Sequence, residues 1–159
     1  MERISKHISY QEGIRSETAR KNNINNTPGT EQLKAMKLVA EKVFEPLREH
    51  LREPILVTSF FRSWGVNSHK DVKGSKTSSH LKGEAMDIMA PANAGYNNAD
   101  MFAHILKNLD YDQLIWEYGT DQNPAWVHVS YRETGNRKQV LKAVNQNGKT
   151  TYAVWSGLQ

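Results

Sequence analysis

Ser78-Ser79-His80-Leu81-Lys82-Gly83-Glu84-Ala85-Met86-Asp87 is the stretch on which the reading of this chain turns. It sets an imidazole and a carboxylate seven residues apart, with hydroxyls in front and a glycine between. Ala85–Met89 reads as a short strand closed by Pro91, and Ala85 shares the strand face of Asp87, keeping bulk low beside it. Gly83 permits the backbone angles or close approach needed to bring His80 back toward Asp87. Further along, Trp126-Val127-His128-Val129-Ser130-Tyr131 alternates in the same way. Val127 and Val129 turn to the apolar side and His128 to the opposite, cleft-lining side. Two imidazoles and one carboxylate suit a three-ligand zinc site with a fourth position left for water.

Outward from these strands the chain alternates between helical and extended patterns. Residues 1–30 read as an arm with one short helix, opened by a capping box at Ser9 and Glu12, with Ile14 and Ala19 facing inward. Asn22–Gly29 is a loop. Thr30 is expected to cap a helix running to about Leu51, with Leu33, Met36, Ala40, Val43, Phe44 and Leu47 along one stripe and Pro46 bending or interrupting it. Ile55–Phe61 reads as a strand ending at Arg62, and residues 63–78 as a polar loop. A helix is expected over Asn98–Asn108, with Met101, Phe102, Ile105 and Leu106 on its buried side. Gln113–Tyr118 is a strand and Gly119–Pro124 a turn. Gln139–Val144 and Thr151–Trp155 flank Asn147-Gly148 as a hairpin. The order points to an α+β fold with a mainly antiparallel central sheet and flanking helices.

Composition narrows the partners. A chain of 159 residues, 38% hydrophobic and 24% charged, is expected to be one domain over residues 1–159, with the N-terminal arm packed on the body. No apolar run approaches the ~20 residues of a membrane span. The segment Met1–His7 has no apolar core that would serve as a secretion signal. Cysteine is absent, so a zinc ion would be held by imidazole and carboxylate, which favours a catalytic site over a structural one. The formal charge of +4 is spread without a basic run, a pattern of a solvated surface that gives nucleic-acid binding little support. His7, His50, His69 and His104 read as ordinary structural residues; His104 sits in a helix and His69 in a polar loop, with no partner acid at obvious metal spacing.

Hydrolysis at such a site needs a proton acceptor and a cation for the developing oxyanion. Glu117, eleven residues before His128 near the end of a strand, is the favoured base, and Asp121 in the following loop is the runner-up. Arg62 offers a fork of donors for an oxyanion or a substrate carboxylate. Ser78 is placed to hydrogen-bond substrate close to the metal.

The pattern Ser78-x-His80-x-x-Gly83-x-Ala85-x-Asp87 followed by Trp126-x-His128 resembles the zinc D-Ala-D-Ala carboxypeptidase group of metallopeptidases. That group shares its fold with the hedgehog signalling domain and includes many phage endolysins. Thr18-Ala19-Arg20, Asn25–Pro28, Thr58–Ser63, Asp112–Glu117 and Asn136-Arg137 are similar to its small phage and bacterial branch, over roughly residues 7–144. The resemblance implies His80, Asp87 and His128 as ligands of Zn²⁺, Arg62 as a substrate- or oxyanion-binding residue and Ser78 as a substrate contact. It implies hydrolysis of a peptide bond in the peptidoglycan stem. Many relatives place the catalytic acid three residues before the last ligand, where this chain has Ala125, so the base must come from Glu117 or the protein is impaired. Lys73-Gly74-Ser75 stands where relatives often carry paired glycines. The rival expectation is a noncatalytic zinc-containing structural or wall-binding module of a phage particle, with other virion proteins as partners. Together with the N-terminus, the resemblance implies a place in the host cytoplasm before lysis or on the virion.

Overall fold

The computed structural model describes residues 3–157; Met1, Glu2, Leu158 and Gln159, the ends of the expected domain and arm, lie outside the described residues. The centre is a six-stranded sheet of β1 (Leu56–Ser59), β2 (Ala85–Met89), β3 (Gln113–Glu117), β4 (Trp126–Ser130), β5 (Gln139–Gln146) and β6 (Lys149–Val154). The strand order is β1-β2-β4-β3-β5-β6. All neighbours are antiparallel except β3 and β5, which run parallel. The α+β architecture with a mainly antiparallel sheet is therefore the one observed.

Register places the site. Asp87 lies opposite His128, and His128 opposite Ile115. The alternate residues Met86, Ile88, Leu114, Trp116, Val127 and Val129 point to the other face, each 1% exposed or less. Helices α1 (Tyr10–Ile14), α2 (Glu17–Asn22), α3 (Thr30–Val39), α4 (Glu45–Leu51), α5 (Trp64–Asn67) and α6 (Asn98–Asn108) complete the chain. Met36, Val39, Val43, Phe44 and Leu47 of the α3–α4 segment join Met101, Phe102 and Ile105 of α6 in one apolar cluster with that sheet face. Ile4 and Ile8 of the N-terminal arm belong to the same cluster. Among the described residues no helix is long and apolar enough to cross a membrane.

Several elements depart from expectation for local reasons. The first 30 residues hold two short helices, capped by Ser9 and Ser16, rather than one. The expected helix from Thr30 to Leu51 is split: Gly29, not Thr30, is its cap, and a π turn over Ala40–Phe44 separates α3 from α4. Pro46 lacks an N–H and its ring would crowd the carbonyl of Lys42, so the wider turn just before it absorbs the conflict. β1 ends at Ser59 after a bulge, and Phe60 and Phe61 leave the ladder to fill the core. The polar loop over 63–78 contains α5, capped by Ser63. The closing strands are longer than expected. Asn147 and Gly148, both at positive φ, turn the hairpin as a primed turn demands.

Asn26 ties the arm to the site. Its amide nitrogen donates to the carbonyls of Ile14 (2.7 Å) and Phe61 (3.1 Å), and its oxygen accepts from Ser63 N–H (2.7 Å). This bridge fixes the segment on which Arg62 rides.

Candidate metal centre

His80 sits on a 3₁₀ turn, Ser79–Lys82, whose cap is Ser78: the Ser78 Oγ accepts from His80 N–H at 3.2 Å. Gly83 ends the turn in the left-handed region at φ 73°, and a Cβ there would lie 2.4 Å from the Gln32 carbonyl oxygen of α3. Only glycine satisfies both constraints. The chain then returns as β2, bringing Asp87 beneath His80, while β4 delivers His128 from the strand alongside.

The His80 Nδ1–H donates to the Phe60 carbonyl at 2.7 Å. A carbonyl can only accept, so the other ring nitrogen, Nε2, carries the lone pair. That Nε2 is buried without a hydrogen-bond partner, although Asp87 Oδ1 lies 3.3 Å away. Two acceptors facing each other repel unless a cation lies between them. His128 Nδ1 is 3.0 Å from the same Oδ1. The ligand atoms of the three residues all lie within 4.8 Å of one another, a grouping able to hold a metal ion. Tetrahedral zinc with bonds of ~2.0–2.1 Å separates its ligands by roughly 3.3 Å. The donor set and its spacing fit zinc.

The electrostatics agree. Burial alone would raise the Asp87 carboxyl, but His80 and His128 beside it hold it well below the usual carboxylate range. Its second oxygen, Oδ2, accepts from the Arg62 Nη2 at 3.3 Å, so one oxygen faces the imidazoles and the other the guanidinium. Burial lowers the His80 imidazole, against the opposing pull of Asp87, which keeps it neutral as a ligand must be.

Arg62 is held further by its Nε–H to the Ser59 Oγ at 3.0 Å. Glu117, 7% exposed at the end of β3, has its carboxyl pushed up to about 7, first by burial and also by the Asp87 charge, with His128 and Arg62 opposing. Ala125 has no acid to offer, but its N–H donates to the Glu117 carbonyl at 2.8 Å across the β3–β4 end. Glu117 lines the site from the neighbouring strand. Arg62, Ser78, His80, Asp87, Glu117 and His128 all line one cleft of about 620 Å³. Asp121 does not: it is exposed and paired with Lys142. The remaining histidines have other partners. His7 meets Glu45 (2.6 Å), His69 meets Asp71 (3.6 Å), and His50 stacks on His104 with centroids 3.7 Å apart.

The cleft has a further wall that the local pattern did not reveal. Leu141, Thr150 and Tyr152 of the β5–β6 hairpin line it together with Tyr118, Trp126, Arg132 and Arg137. Their arrival depends on the parallel pairing of β3 with β5, which sets Glu117 opposite Ala143 and Ala143 opposite Tyr152. The sequence signal for that wall was the Asn147-Gly148 hairpin; its position was not encoded locally.

A sheet that buries two imidazoles and a carboxylate on one face, beside a second carboxyl and a guanidinium, has the make-up of a metal-dependent peptidase. Residues 6–130 match the family described as peptidase M15, and the chain belongs to that zinc-dependent, D-Ala-D-Ala carboxypeptidase-like family of metallopeptidases. The match contains all three cluster residues and stops before the hairpin. No curated protein matches the chain.

Proposed function

We propose that the protein is a zinc peptidase that hydrolyses a peptide bond of the peptidoglycan stem, acting as a D-Ala-D-Ala carboxypeptidase or an endopeptidase in cell-wall lysis. The observation that carries this reading is the buried, lone-pair-bearing His80 Nε2 aimed at Asp87 Oδ1, with His128 Nδ1 at the same oxygen. His80, Asp87 and His128 would hold the ion. Bound there, zinc supplies Lewis-acid polarisation of a carbonyl and makes water nucleophilic near neutral pH.

The chain's own groups do the rest. Glu117, buried at the end of β3 and lining the cleft, takes the proton of the attacking water and returns it to the leaving amine. Arg62, anchored by Ser59 and Asp87, presents its remaining donors to the oxygen that becomes negative. Ser78 holds the His80 turn through its oxygen while its hydroxyl proton is left to donate to substrate. Residues 1–159 act as one domain on this reading, and the peptide substrate is the one partner it requires. The phage setting, on a virion or in lysis, is supported by sequence resemblance alone.

The test is release of new amines or D-alanine from purified peptidoglycan by the zinc-loaded protein. Wild type is expected to release them, His80→Ala and Glu117→Ala to abolish release, and Asp121→Ala to retain it. Zinc-loaded wild type releasing nothing from several wall types would sink the peptidase reading. Full activity in Glu117→Ala, with none in Asp121→Ala, would overturn the base assignment.

A further inference from the structure

Just before β3, Asp112 is fully buried and held by two arginines. Arg137 donates from Nε (3.0 Å) and from its backbone N–H (3.1 Å) to Oδ1, and from Nη2 (2.8 Å) to Oδ2. Arg132 Nε lies 3.2 Å from Oδ2. Two guanidinium charges thus face one carboxylate, leaving one positive charge in excess. Both arginines line the cleft, and their side chains keep 38% and 47% of their surface. Arg132 Nη1 and Nη2 and Arg137 Nη1 make no hydrogen bond among the described residues. Asp112 therefore pre-orients two planar forks whose outer edges have donors to spare.

The register gives this pair a distance from the metal cluster. Asp112 precedes by three residues Ile115, the partner of His128, so the clamp lies roughly 10 Å along the sheet from the cluster. An extended peptide covers that span in about three residues, and the reach of an arginine shortens it. Arg62 sits at the cluster itself, bonded to Asp87, and serves the scissile bond rather than a group this far away.

We infer that Arg132 and Arg137 form a carboxylate subsite, which selects peptides bearing an acidic group within about three residues of the scissile bond. The inference rests on the peptidase reading and deepens it. A carboxylate accepts paired, charge-assisted bonds from a guanidinium edge, whereas the corresponding amide brings no charge and one fewer acceptor.

Two synthetic glutamyl peptides, identical except that the carboxylate near the susceptible bond is free or amidated, provide the test. Their binding to the metal-free protein is measured by calorimetry, and their hydrolysis by the zinc-loaded protein as kcat and KM. Wild type is expected to prefer the free carboxylate by about tenfold, expressed in KM and in binding rather than in kcat. Arg132→Gln is expected to lose the preference while keeping its fold, because Arg137 retains its hold on Asp112; a thermal melt checks this. Lys82→Gln, at another cation lining the cleft, is expected to keep the preference. Equal binding of the two peptides to wild type, or a preference that survives in folded Arg132→Gln, overturns the subsite. Selective binding of the carboxylate peptide without hydrolysis of either would instead overturn the peptidase reading and leave the subsite standing.

Discussion

The two faces of the central sheet are buried to nearly the same degree and by opposite means. On one, Leu114, Trp116, Val127 and Val129 are removed from water against α6 and the α3–α4 segment, at 1% exposure or less. On the other, Asp87, Glu117 and His128 are 7–9% exposed, although each loses hydration by being there. The first face gains stability from burial and is indifferent to pH. The second spends stability on ionisable groups, and recovers it only with a cation or a proton. Near-equal burial along one strand thus means cohesion at Trp116 and a raised carboxyl at Glu117, a single residue away.

The largest effect is expected on the apolar face. Trp116→Ala removes a ring packed edge-on to Phe102, with centroids 5.1 Å apart, and should cost about 3–5 kcal/mol in a denaturant titration of the metal-free protein. Zinc affinity of the folded fraction should stay the same; a large drop in affinity would break the separation of the faces.

Zinc should act on the other face alone. At a thousandfold excess over its Kd it is expected to stabilise wild type by about 4 kcal/mol, seen as a raised Tm that a chelator reverses. His80→Ala and Asp87→Asn should lose that rise. Identical melts with and without zinc in wild type would show that the cleft face is balanced in some other way.

A smaller effect, and the sharpest, concerns Glu117 in the metal-free protein. Its folded carboxyl titrates near 7, above the ordinary 4.5, so the folded state holds a proton that the unfolded chain releases across this window. Stability is therefore lost as pH rises from 4.5 through 7, and none of this loss is present below 4.5. Glu117→Gln, which has no proton to lose, should be more stable than wild type at pH 8 by up to about 3 kcal/mol, and by nothing at pH 4. Parallel pH–stability curves for the two proteins would contradict the burial argument.

Most of this contrast was legible in the chain. Strict alternation gave β2, β3 and β4 and the face of His128, and the Asn97–Asp100 capping box starts α6 where the apolar stripe does. His80, Asp87 and His128 could be joined because the elements bearing them are short and each has a clear signal. What escaped was set by neighbours distant in sequence. Phe60 and Phe61 look like strand residues, yet they turn into the core, and Phe60 supplies the carbonyl that fixes the His80 tautomer. Ala125 leaves no acid three residues before His128, and only the β3–β4 register shows that Glu117 comes beside that position. The Asp112 clamp needs Arg132 and Arg137 to fold back from beyond β4, and nothing in the spacing of those residues says that they do.

Gly83 has a consequence for how this sequence can change. A side chain there would strike the Gln32 carbonyl oxygen, an atom of the main chain. Where the obstacle is a side chain, a second substitution can trim it away; a carbonyl oxygen belongs to every residue that could occupy position 32. The clash has no compensating partner among the twenty amino acids, and relief requires α3 itself to move. Three residues upstream, His80 inherits that restriction: its seat is held in place by backbone that substitution cannot edit.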